Sequence, residues 1–99
     1  MLKFIEHEDS VTIKFNGDIN FETVRQIESH VKDWKIPEHI KTLYLDLHNV
    51  RFIDSTGVGF LISWVHPLIS RYQAEIIHAS VPVKNILQIC KLDTLLKIS

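Results

Sequence analysis

Apolar positions change their period along the chain, and each change marks an element. Val11, Ile13 and Phe15 alternate with Thr12, Lys14 and Asn16, the period-two pattern of a strand with one buried face. Leu2 to Ile5 forms a short apolar segment before them, and the polar stretch from His7 to Ser10 predicts a hairpin of two antiparallel strands. After Gly17 the period lengthens. Phe21, Val24, Ile27, Val31 and Trp34 recur at helical spacing until Pro37, with Asn20 as N-cap and Glu22, Arg25, Glu28 and Lys32 turned to water.

Thr42 to Leu47 reads as a buried strand with Asp46 near its C-terminal end, where ligand sites of α/β sheets tend to lie. A second helix is predicted from around Ser55 to about Arg71. Val58, Leu61, Ile62, Val65, Leu68 and Ile69 make its core stripe, while Phe60 and Trp64 fall to one side. Pro67 lacks an amide donor, so it either kinks this helix or ends it near His66 with a second turn afterwards. Ala74 to Ala79 is a short apolar strand. Pro82 suits the first turn of a third helix, whose apolar face is Val83, Ile86, Leu87 and Cys90, with Cys90 as a small buried side chain. Leu95 to Ile98 closes the chain as an edge strand. The order β-β-α-β-α-β-α-β describes an α/β fold: a single mixed sheet of about five strands covered by helices.

Composition narrows the function classes. A chain of 99 residues, 45% hydrophobic, is enough for one compact core and too short for two, so residues 1–99 are expected to be one domain. Eleven basic against twelve acidic residues, without long blocks, give no footprint for a phosphate backbone, so no nucleic-acid partner is expected. The N-terminus carries Glu6 where a signal peptide needs an unbroken apolar run, and no run is long enough to span a bilayer. The expectation is therefore a cytoplasmic protein with no membrane insertion. The six histidines show none of the close pairings that zinc sites use, so no metal or cofactor is expected.

The chemistry gathers in Val50-Arg51-Phe52-Ile53-Asp54-Ser55-Thr56-Gly57-Val58-Gly59, which sets a hydroxyl beside a carboxylate where a loop feeds a helix. The first turn of a helix has unpaired N–H groups and a partial positive charge. A phosphate on Ser55 is thus expected to meet the backbone amides of Thr56, Gly57 and Val58. Gly57 and Gly59 allow another molecule close to the backbone. Ser55 and Thr56 are both hydroxyl candidates, and Ser55 is the stronger. There is no Gly-x-Ser-x-Gly elbow and no Gly-Lys-(Ser/Thr) phosphate loop, so intrinsic catalysis is not expected.

Phe52 to Gly59 resembles the Asp-Ser-(Ser/Thr)-Gly signature of STAS domains in anti-sigma factor antagonists. Gly17-Asp18-Ile19-Asn20 is similar to that family's Gly-x-(Ile/Leu)-Asp element. Asn20 stands where an acidic residue is common, and Pro67 interrupts a helix that is normally regular. The resemblance implies a module that binds an anti-sigma factor serine kinase while Ser55 is unphosphorylated, releases it once phosphorylated, and is reset by a serine phosphatase. Partner contacts are expected at Asp18, Asn20, Asp46, Asp54, Ser55, Thr56, Gly57 and Gly59, and Phe60 and Trp64, four apart on one helix, form an aromatic patch that would anchor a partner if exposed. The alternative it leaves open is a subunit of a bacterial lipid-transport ATPase complex or a stress-sensing scaffold, without a phosphorylation cycle. Each residue also has a plainer role: Ser55 as a helix cap, Asp46 and Asp54 as strand-end or capping carboxylates, Phe60 and Trp64 as packing.

Overall fold

A computed structural model describes all residues, 1–99. The hairpin forms as the alternation requires. β1 (Leu2–His7) pairs antiparallel with β2 (Ser10–Phe15), setting Phe4 opposite Ile13 and Leu2 opposite Phe15. Its turn is only Glu8 and Asp9, tight enough to hold Glu8 at φ 55°. β3 (Thr42–Asp46), β4 (Gln73–Ile77) and β5 (Lys97–Ile98) add in parallel on the other side of β2, giving the spatial order β1-β2-β3-β4-β5.

Three helices make the crossovers: α1 (Val24–Asp33), α2 (Ser55–Leu68) and α3 (Val81–Ile89), followed by a short 3-10 turn at Leu92–Thr94. Strands added one after another in a single direction, each through a right-handed connection, bring all three helices to the same face of the sheet. Burial alternates to match. Val11, Ile13, Phe15, Leu43, Leu45 and Ile76 are sealed beneath the helices, whereas Thr12, Lys14, Thr42, Tyr44 and Glu75 on the opposite face stay half-exposed. Val24, Ile27, Val58, Phe60, Leu61, Val65, Val83 and Leu87 complete the core from the helix side. The predicted element order and mixed sheet are those of the structure.

Four details differ from expectation, each for a local reason. Phe21 is 78% exposed instead of lining α1, because regular helix begins only at Val24 and Phe21 lies in the turn before it. α2 continues through Pro67 to Leu68, short of Arg71. The proline falls in the last turn, so the one i→i−4 bond it removes lies at the end of the helix, and the Ile69 amide still reaches the Val65 carbonyl. Cys90 is exposed rather than buried. α3 stops at Ile89 and Lys91 turns left-handed at φ 63°, so the fully buried Leu92 takes the place beneath the helix. The last strand is reduced to Lys97–Ile98, since the 3-10 turn uses the residues before Leu95.

Candidate functional site

The turn from β2 to α1 and the loop from β3 to α2 meet at the C-terminal end of the parallel strands, and backbone bonds join them first. Ile19 and Ile53 form an isolated parallel bridge; the Ile19 amide donates to the Phe52 carbonyl at 3.3 Å, and the Asp54 amide to the Ile19 carbonyl at 3.4 Å. Such short bridging leaves further amides to be satisfied, and two carboxylates take them. Asp18 Oδ1 accepts from the amides of Arg51 at 2.9 Å and Phe52 at 3.1 Å. Asp54 reciprocates from the other loop: Oδ1 accepts the Gly57 amide at 2.8 Å, capping α2, and Oδ2 accepts the Phe21 amide at 3.0 Å. Each loop therefore lends a carboxylate to the backbone of the other. The Gly57 and then the Phe21 hydrogen bonds hold the Asp54 carboxyl below the usual carboxylate range, since both stabilise its charged form.

Gly17 and Gly57 are the positions where only glycine fits this arrangement. Gly17 opens the turn at φ 133°. A Cβ on Gly57 would stand 2.1 Å from the Ile19 carbonyl oxygen, so its absence lets α2 press directly on the neighbouring loop. Gly57 is buried and serves packing rather than the approach of another molecule. Gly59 is the open one: it is exposed, and a Cβ there would meet nothing within 4 Å.

Asn20 acts as a cap, four residues before α1 begins at Val24. Its Oδ1 accepts from the amides of Glu22 and Thr23, while the Thr23 hydroxyl oxygen accepts the Asn20 amide at 3.0 Å, a reciprocal arrangement like a capping box. Thr23 also donates to the Asp18 carbonyl at 2.7 Å and so stiffens the turn that carries Asp18. The spacing Asn20-x-x-Thr23 was the sequence signal for this partnership.

Ser55 is the first residue of α2; it is exposed, and its hydroxyl makes no hydrogen bond within the protein. Thr56 beside it is also exposed and helps wall a cleft of about 620 Å³ with Phe21, Glu22, Val24, Arg25 and Glu28. The amides expected to cradle a phosphate are largely committed: Gly57 donates to Asp54 Oδ1, and Val58 to the Asp54 carbonyl at 2.9 Å as an ordinary helical bond. That corrects the idea of a ready anion nest at Thr56, Gly57 and Val58. A group attached to Ser55 meets an ionised carboxylate and an already capped helix. Phe52 is 69% exposed, so with Phe21 two aromatic rings stand on the rim of the site, which periodicity could not reveal because both lie in loops.

The remaining candidates lie apart. Phe60 is in the core at 9% exposure, its ring stacked on Trp64 at 5.8 Å, and Trp64 sets its edge against Phe15. Trp64 is half-buried, and it and an edge of Phe60 line a cleft between α1 and α2 together with Arg25, Glu28, Ser29 and Lys32. Asp46 is 8% exposed and belongs to another pocket with Lys14, His48 and His78; it shares no hydrogen bond with Asp18, Asp54 or Ser55.

The five-stranded mixed sheet with its three helices matches the fold of solved anti-sigma factor antagonists. It superposes on a candidate anti-sigma factor antagonist of Thermotoga maritima with TM-score 0.85 at 21% identity, covering 98% of this chain and 84% of that one. An anti-sigma factor antagonist from Mycobacterium paratuberculosis gives TM-score 0.85 at 16% identity, covering 99% and 83%. The antagonist SpoIIAA in its unphosphorylated form gives TM-score 0.70 at 16% identity, covering 100% and 87%, and the Bacillus protein is also known in a phosphorylated form. At these identities the likeness is one of fold. No curated protein matches the chain in sequence. The family model described as the STAS domain matches residues 2–99, and the chain belongs to the STAS domain family.

Proposed function

We propose that this STAS domain, acting as one unit over residues 1–99, is an anti-sigma factor antagonist switched by phosphorylation of Ser55. Unphosphorylated, it binds an anti-sigma factor that is itself a serine kinase. Phosphate on Ser55 ends the complex, and a serine phosphatase restores it. On this reading the chain is a cytoplasmic binding module and carries out no chemistry of its own.

The observation that carries the proposal is the state of Ser55: an exposed, unbonded hydroxyl on a platform held by the crossed carboxylates Asp18 and Asp54. A phosphoryl group there adds about −1.5 to −2 charges at neutral pH. The neighbouring Asp54 is held ionised, and the Gly57 and Val58 amides are already bonded, so the helix end offers the new charge little compensation. The charge is thus directed outward, against whatever surface covers the site.

The test is incubation with ATP and the serine kinases encoded beside the gene, followed by mass spectrometry of the intact chain and its peptides. Phosphate on Ser55, lost in Ser55→Ala and kept in Thr56→Ala, supports the switch; Ser55→Ala should still bind the kinase and Ser55→Asp should bind it weakly. An unmodified chain that instead copurifies stoichiometrically with a transport ATPase would replace this reading with that of a transporter subunit.

A further inference from the structure

The outer side of α1 carries charges of alternating sign. Glu22, in the turn before the helix, is followed by Arg25, Glu28 and Lys32, all exposed and at helical spacing. Neighbours of opposite sign three or four apart on a helix ordinarily pair with each other. Here none of the four does: the chain's two ion pairs are His39 with Glu6 and His78 with Asp46. All four side chains instead line clefts along α1. Glu22, Arg25 and Glu28 line the cleft of about 620 Å³ that Thr56 helps to wall, and Arg25, Glu28 and Lys32 line one of about 500 Å³ that also holds Phe60 and Trp64. Arg25 and Glu28 belong to both, so the two clefts adjoin as one groove.

The order negative, positive, negative, positive is its own complement when reversed. Run antiparallel to a second copy, it sets Glu22 against Lys32 and Arg25 against Glu28, and two-fold symmetry makes each contact twice. A parallel alignment would set like charge on like. The apolar parts follow the same rule. Phe21, 78% exposed, stands at one end of the groove, and Val31, Phe60 and Trp64 line the cleft at the other. In the antiparallel arrangement each Phe21 meets the Trp64 cleft of the opposing copy, which at about 500 Å³ has room for a phenyl ring. A formal charge of −1 per chain adds little long-range repulsion between copies.

We infer that this groove is a homodimer surface, occupied by α1 of a second copy in antiparallel two-fold contact. Arg25–Glu28 pairs lie at its centre, Glu22–Lys32 pairs at its ends, and Phe21 is the anchor. An aromatic ring entering an apolar cleft supplies the burial. The charges are exposed and screened, so they fix direction and register more than affinity. One helix and one ring make a small surface, and the dimer is accordingly a weak one that fills at high concentration. It does not rest on phosphorylation of Ser55, although Phe21 also stands on the rim of that site and a dimer built this way covers part of it.

Sedimentation equilibrium of the whole chain, from micromolar concentrations up to about 1 mM, measures the assembly directly. The mass should rise from monomer to dimer across that range. Phe21→Ala should weaken association by about tenfold or more. Arg25→Glu and Glu28→Arg, each alone, bring like charges together twice per dimer and should each leave a monomer with unchanged circular dichroism. Mixing the two variants in equal amounts should restore the dimer, because each then supplies the charge that the other lacks. A merely structural effect of either substitution is not repaired by mixing. A chain that stays monomeric at every concentration, a dimer that survives both single variants, or variants that remain monomeric when mixed would overturn the assignment.

Discussion

Asp18 and Asp54 at one end of the sheet, and Asp46 on its open face, are three carboxylates that the fold satisfies in two ways. The first pair spend four of their hydrogen bonds on backbone amides of the facing loops, which welds two loops into one platform and leaves the adjacent hydroxyl unbonded. Asp46 receives one amide and then relies on side chains, His78 and the nearby Lys14. A carboxylate consumed by amides is architecture, and whatever it supports can be rigid and open. A carboxylate that has one amide and otherwise only side chains near it ties no second loop down.

The largest effect should come from forcing the two welded loops apart. Gly57→Ala drives a Cβ into the Ile19 carbonyl and is expected to cost about 3 kcal/mol, a fall of about 15 °C in Tm by calorimetry. The same change at Gly59, where space is open, should instead raise stability by about 0.5–1 kcal/mol. Asp18→Ala strips the acceptor from two amides and should cost about 1–2 kcal/mol in urea denaturation. Losing only one amide bond and relieving a desolvated carboxylate, Asp46→Ala should change stability by less than about 0.5 kcal/mol; a larger loss than at Asp18 would reverse the distinction drawn between them.

Asp54 adds a pH signature. Its folded-state pKa is depressed, so between the ordinary carboxylate value and that lower one the unfolded chain binds the proton that the folded chain refuses. Its contribution is complete above the ordinary value, near pH ~4, and is lost as the pH falls through the depressed one. Asp54→Asn should therefore flatten the acid limb of the stability curve, and an unchanged limb would mean that the Gly57 and Phe21 bonds do not favour the ionised form.

Much of this was legible in the chain. Alternation in β2 and the helical stripe of α2 follow from local periods, and the Asp-Ser-Thr-Gly run lies at the helix start that its residue types demand. What escaped were relations between loops. Asp54 was readable as the cap of α2, but nothing near it tells that its second oxygen takes the Phe21 amide or that Ile19 presses on the Gly57 Cα, because those contacts exist only once β2 and β3 are side by side. Phe21 and Cys90 were assigned to the core because each continues a helical period, and in both cases the helix ends short of them. The pairing of Asp46 with His78 depends on a left-handed residue after β4, which no periodicity announces.

The central claim concerns Ser55, and its most direct measurement is calorimetric titration of the cognate kinase with the protein before and after stoichiometric phosphorylation of that residue. The account predicts that phosphorylation weakens binding by about tenfold or more, or about 1.4 kcal/mol, with the circular dichroism of the domain unchanged. Equal or tighter binding of the phosphorylated form would contradict it.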